Sequence, residues 1–250
     1  YNGIHNIQLN NDTFITEWNE LTKKYYNILV NIKTDIHDLI IKHDDKYTFI
    51  NKYKLVNELY NKLIKLLNHD QPDYLIYLLI KRYDYFGIYN NNGQLALDSS
   101  WKERLTNKYH IDTELFASPF NVFYKYYYSI FPDLEKYFGS LGRFNHVKHL
   151  QNKYYFSNPP FEYEIMYLTS LKYIRFMKHD NAKFVSTIPV WSQKRDLSDY
   201  KPLYILKKYI KILKLYSKNN IPYFNYFTYK KVYASDTYFF VISRTRESKT

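Results

Sequence analysis

Between Thr13 and about Arg82, apolar residues recur at three- and four-residue steps, as in Leu55, Val56, Leu59, Leu63 and Leu66-Leu67. This spacing predicts three or more helices, with Thr13 as the first N-cap. Asp70-Gln71-Pro72-Asp73 interrupts the pattern, and Pro72 suits the first turn of a following helix from Tyr74 to Arg82. Gly87 and Asn90-Asn91-Asn92-Gly93 read as a loop, after which Ser99 or Ser100 caps a helix from Trp101 to Lys108. The period then changes. Glu114 to Ala117 reads as a strand ending at Ser118-Pro119, and Asn121 to Phe131 as an aromatic helix stopped by Pro132. Further strands are expected at Tyr154 to Phe156, Phe184 to Val190 and Tyr238 to Ile242. Helices are expected from Glu162 to Met177 and from Pro202 to Ser217.

Strands alternating with helices imply an α/β fold with a doubly wound sheet, preceded by an all-helical segment. The change of period lies near residues 104–112 and divides the chain into a helical domain, 1–105, and an α/β domain, 106–250. No internal repeat or low-complexity linker appears.

One tetrapeptide carries chemistry. In Asn158-Pro159-Pro160-Phe161 an amide, two prolines and an aromatic ring stand on a predicted strand-to-helix turn, where open α/β sheets bind ligands. Such a set suits methylation of an exocyclic amine. The lone pair of adenine N6 is delocalised into the ring, so a catalyst gains by holding both N–H groups on fixed acceptors. The Asn158 side-chain carbonyl and the Pro159 backbone carbonyl are two such acceptors, and consecutive prolines restrict the backbone that carries them. Phe161 offers a face on which an extruded base stacks. The methyl donor implied is S-adenosyl-L-methionine, with no metal needed. Asn-Pro-Pro is also an ordinary turn, which is the plain alternative.

Composition narrows the partners. The chain has 250 residues, 46% of them hydrophobic, enough for a sizeable core. Its aromatic fraction of 20%, with 31 Tyr and 17 Phe beside much Lys, Asn and Ile, looks like AT-rich coding. Part of the formal net charge of +12 then reflects codon usage, and the rest points to an anionic partner, most naturally nucleic acid. There is no cysteine, which excludes disulfides and thiolate metal sites. No apolar run is long enough to span a membrane, and Tyr1-Asn2-Gly3 does not open a signal peptide.

Several ordered blocks resemble the phosphorylated-CTD-interacting factor class of cap-specific adenosine N6-methyltransferases. They are Phe116-Ala117-Ser118-Pro119-Phe120-Asn121; Phe131-Pro132-Asp133 with Tyr137-Phe138-Gly139-Ser140; Asn158 to Phe161 with Glu164 and Met166; Ile188-Pro189 with Trp191; and Tyr229-Lys230 before the last hydrophobic strand. The likeness is much weaker before residue 106, where only Leu79 to Gly87, with Arg82 and Tyr83, is familiar.

The resemblance implies a Rossmann-like class I methyltransferase domain behind an N-terminal helical domain, with the cap held in the cleft between them. It also implies methyl transfer to N6 of the adenosine, usually 2′-O-methylated, next to the 7-methylguanosine cap. Nothing in the sequence resembles the WW module that animal members carry upstream. Val190 stands where an acidic residue is expected, and Leu141 where a basic one is, with Arg143 nearby. A lean, cysteine-free member suits a large DNA virus that caps its transcripts in the cytoplasm, alongside other capping enzymes.

Under this resemblance Ser118, Pro119 and Asn121, with Phe138, Gly139 and Ser140, are the cofactor candidates, since turns at strand ends hold such ligands and Gly139 allows close backbone approach. Otherwise these residues simply turn the chain. Asp133 and Glu164 read as structural, at a helix start and in a first turn. Arg82, Arg143 and Lys230 are the RNA-binding candidates, because guanidinium groups clamp phosphate through paired N–H bonds. Lys207, Lys211, Lys214 and Lys218 read as the wet face of the Pro202 helix, and His146 with His149 as a chance pair. Two rival functions stay open: an adenine N6-methyltransferase of DNA or internal RNA, and a non-catalytic RNA-binding relic of the fold.

Overall fold

A computed structural model describes residues 39–67, 69–89, 94–190 and 201–244. The Thr13 cap, the Asn90–Gly93 turn and Trp191 lie outside them. Three antiparallel strands come first: β1 (Ile41–His43), β2 (Tyr47–Ile50) and β3 (Tyr53–Val56). The expectation of an all-helical segment is corrected here. Asp44 Oδ1 accepts the N–H groups of Lys46 and Tyr47, and Asn51 takes the left-handed conformation at φ 52°. These two tight turns force the chain into a meander despite its helix-like spacing.

Helices α1 (Asn57–Leu66) and α2 (Pro72–Tyr85) follow, with Pro72 in the first turn as expected. After β4 (Leu95–Leu97) comes α3 (Ser99–Tyr109), capped by Asp98 rather than by a serine, because the Asp98 carboxylate accepts the Ser100 N–H at 3.1 Å.

The main sheet is built from β5 (Thr113–Glu114), β6 (Tyr126–Tyr127), β7 (Tyr154–Ser157), β8 (Lys183–Pro189), β9 (Ile210–Tyr216) and β12 (Thr237–Ile242). Helix α4 (Pro132–Glu135) follows β6, α5 (Tyr163–Asp180) joins β7 to β8, and α6 (Lys201–Tyr204) precedes β9. A separate three-stranded sheet joins β4 to β10 (Tyr223–Asn225) and β11 (Lys230–Val232).

The main sheet runs in the order β6-β5-β7-β8-β12-β9. The first four strands are parallel, while β12 is antiparallel to both neighbours. The chain steps outward from β5 to β6 and then returns to lay β7 on the other side of β5, so the strand order reverses between β5 and β7.

Alternation along the strands covers both faces. Tyr238, Phe240 and Ile242 of β12 join Tyr173, Phe176 and Met177 of α5, whereas Phe239 and Val241 pack with Leu105 of α3. Each fully buried side chain of this kind contributes roughly 1.5–3 kcal/mol. Along α5 the buried positions include Met166, Thr169, Tyr173 and Phe176, while Leu171 is exposed.

Two expected helices are replaced by turns and strands. Asn121 to Phe131 contains β6, whose Tyr127 is buried beside β5 with its hydroxyl donating to the Phe138 carbonyl at 2.9 Å. The segment Pro202 to Ser217 holds the short α6 and one 3-10 turn (Lys207–Tyr209) before β9, which pairs with β12 over most of its length. Lys211 and Lys214 therefore face solvent from an edge strand, where lysine discourages further pairing. The described residues from Ile41 onward belong to one compact unit, and the β4–β10 pairing crosses the 105/106 division.

Candidate functional site

Asn158 to Phe161 lies between the carboxyl end of β7 and α5. The Pro160 carbonyl accepts the Glu162 N–H at 2.8 Å and tightens the turn. Pro159 is buried, Pro160 exposed, and Asn158 and Phe161 half-buried, so the turn has one anchored and one accessible side. Asn158 is oriented from β8: the Thr187 hydroxyl donates to Asn158 Oδ1 at 2.9 Å. The Phe161 ring meets Tyr223 of β10 edge-on, with centroids 5.7 Å apart.

The neighbouring strand β5 ends in the second candidate turn. Ser118 N–H donates to Asn121 Oδ1 at 2.8 Å, and Asn121 N–H donates back to the Ser118 carbonyl at 3.1 Å. The Ser118 hydroxyl bonds Gln94. Ser118, Pro119 and Asn121 are all buried, so they shape the turn from within. The Ser118 and Asn158 turns thus follow adjacent parallel strands at the reversal of strand order, the position at which open α/β sheets form a ligand crevice.

The third block follows α4. Phe138 is fully buried; Gly139 takes φ +90°, and a Cβ placed there meets no atom within 4 Å, so the backbone faces open space. Ser140 bonds Ser129, just beyond β6, so this block sits at the carboxyl end of the strand beside β5.

The basic candidates separate. Arg82 is 2% exposed, and its two terminal nitrogens reach the Asp133 carboxylate at 3.3 and 3.0 Å while the guanidinium lies over Phe131. Arg82, an RNA-binding candidate, is thus engaged by the Asp133 carboxylate, and the pair fastens α2 to the Pro132 turn. Arg143 donates from Nε to the Ile130 carbonyl at 2.9 Å and is half-buried. Lys230 is exposed on β11, in a different sheet. His149 pairs with Asp180, and no group of three or more potential metal ligands forms among the described residues.

Sequence reasoning missed Lys62, which α1 directs at the Ser118 turn: its ammonium donates to the Phe120 carbonyl at 2.9 Å and stands 4.6 Å from the centroid of the Tyr226 ring. Burial pulls its pKa from the ordinary 10.5 down to about 7; the Lys102 ammonium adds to the shift and Glu114 opposes it. Between pH 7 and 10 the unfolded chain holds this proton and the folded chain does not. Stability therefore rises with pH across that window, and Lys172, drawn down to about 8, acts in the same sense. Thermal melts from pH 7 to 9 are expected to show the rise in the native chain and a flatter profile in Lys62→Met.

A family model described as the phosphorylated CTD interacting factor 1 WW domain matches residues 54–204, a span that includes the Ser118, Gly139 and Asn158 turns. The human protein named mRNA (2'-O-methyladenosine-N(6)-)-methyltransferase is 31% identical over 124 residues, which make up 47% of this chain and 18% of that protein. Its mouse counterpart of the same name is 30% identical over 124 residues, 17% of its length.

Proposed function

The chain belongs to the phosphorylated CTD interacting factor 1 family, and from that premise we propose that it is an mRNA cap methyltransferase acting on N6 of the adenosine next to the 7-methylguanosine cap. The observation that carries this reading is the Asn158–Phe161 turn at the carboxyl end of β7, with its amide held in advance and its neighbour at the strand-order reversal being the Ser118 turn. The parallel strands with β12 slotted antiparallel beside them are compatible with a Rossmann-like class I domain. Its catalytic half is residues 106–250, and residues before 106 contribute to the cap and RNA cleft. The names of the human and mouse relatives support the substrate class.

Asn158 Oδ1 and the Pro159 carbonyl accept the two N6 hydrogens and hold the nitrogen's lone pair toward the donor, while Phe161 stacks the base. Acceptors set before the substrate arrives lower the barrier without reorganising during the reaction. The Ser118–Asn121 turn with Phe138, Gly139 and Ser140 would hold S-adenosyl-L-methionine, since open space lies over the Gly139 backbone and the two blocks follow neighbouring parallel strands. When bound, that cofactor supplies an electrophilic methyl group. Arg143 and Lys230 are the RNA contacts in this reading. A cytoplasmic setting in the factory of a large DNA virus, beside companion capping enzymes, completes the proposal.

Labelled S-adenosylmethionine with matched RNAs beginning in capped adenosine, capped guanosine and uncapped adenosine tests it. Transfer confined to capped adenosine is the expected result. Equal transfer to uncapped or internal adenine, in RNA or DNA, would redirect the reading to a general N6 enzyme. No transfer, with no binding of S-adenosylhomocysteine to folded protein, would leave an RNA-binding relic.

A further inference from the structure

We infer that Thr187 and Tyr223 are positioning residues for the methyl-transfer turn: Thr187 fixes the amide of Asn158, and Tyr223 fixes the Phe161 ring. The inference rests on Asn158 being the acceptor for the N6 amine, as proposed above.

Thr187 is fully buried in β8, between Ser186 and Ile188 and beyond Phe184 and Val185. A hydroxyl there is costly unless bonded, and its proton goes to Asn158 Oδ1 at 2.9 Å. That bond selects between the two ends of the amide. With Thr187 donating, the carbonyl end is held in place and keeps its second lone pair for substrate. Turned by half a rotation, the same side chain would present an NH2 group, which repels an N–H donor.

Tyr223 holds the ring of the same turn. It is fully buried, and since Thr237 Oγ1 gives its own proton to the Ser235 carbonyl, the Tyr223 hydroxyl donates to Thr237 Oγ1 at 3.3 Å. So anchored, the phenol meets Phe161 edge-on at an interplanar angle of 89°. Thr187 thus sets the amide that orients the amine, and Tyr223 sets the ring that stacks the base.

Thr187→Val keeps the shape and removes the donor. It is expected to lower kcat about tenfold or more, the effect of one lost hydrogen bond that acts in the transition state. S-adenosylhomocysteine affinity by calorimetry stays unchanged, and Thr187→Ser restores kcat. Tyr223→Leu, which removes the ring held against Phe161, gives a smaller loss of kcat. In an Asn158→Ala background, Thr187→Val adds nothing, because its effect passes through Asn158. Full activity of Thr187→Val, or an effect that adds to Asn158→Ala, overturns the inference.

A second readout does not require turnover. The Asn158 side-chain NH2 resonances, identified by their loss in Asn158→Ala, are expected to shift in Thr187→Val and to return in Thr187→Ser. Resonances that stay in place overturn the positioning role. A native chain that binds S-adenosylhomocysteine but methylates no adenine sinks the functional reading instead.

Discussion

Asn158→Ala is expected to lower kcat by about a hundredfold to a thousandfold, the range seen when one preorganised polar group is removed from a reacting centre. The affinity for S-adenosylhomocysteine should hold, because Asn158 belongs to the amine side of the crevice and the cofactor candidates belong to the β5 and β6 ends. KM for RNA should change little, since a single acceptor for N6 adds little to the binding of a capped chain. Thr187 loses its acceptor in this variant, which costs about 1 kcal/mol of stability and leaves the protein folded. Steady-state kinetics with calorimetry check the split. A variant that loses cofactor binding along with turnover would mean that the turn supports the fold of the crevice rather than the chemistry.

That turn was legible in the sequence because its geometry is local. Two prolines restrict their own backbone and the residue before them, and the flanking apolar runs of β7 and α5 are long enough to identify. β8 and β12 were legible for the same reason: both are almost wholly buried runs of apolar and small residues.

What was missed depends on partners distant in sequence. Thr187 lies 29 residues from Asn158 and reaches it because β7 and β8 pair in parallel. Tyr223 is one of 31 tyrosines, of which Tyr83 and Tyr173 are core while Tyr204 and Tyr233 are exposed; ring content alone cannot sort them. The Lys211 and Lys214 segment fits a helix period and a strand period about equally well, and pairing with β12 decides it. Arg82 meets its carboxylate partner Asp133 51 residues on, a pairing that spacing along the chain does not show. The β1 to β3 meander was hidden by the apolar spacing of α1, which follows it directly.

The buried pair of Lys102 and Glu114 should give the largest change in stability. Lys102 of α3 reaches both carboxylate oxygens of Glu114, at 3.0 and 3.2 Å, and the two side chains are 0% and 1% exposed. Burial pushes the Glu114 carboxyl up, and the Lys102 ammonium opposes that shift. Lys102→Met strands a carboxylate at the end of β5, and Glu114→Leu strands an ammonium inside the α3 face; each is expected to cost about 3–5 kcal/mol, a fall in Tm of roughly 10 °C for a unit of this size. Lys102→Met with Glu114→Leu removes both charges and should recover most of that loss, because desolvating an ion pair offsets much of its attraction. Differential scanning calorimetry on the three variants measures the coupling. If the pair serves only to pin α3 to the sheet, the double variant regains activity with its stability. Glu114 leads directly into the Ser118 turn, and its charge also acts on Lys62, which holds the Phe120 carbonyl. A double variant that is stable but binds S-adenosylhomocysteine more weakly would therefore place the ion pair in the support of the cofactor crevice.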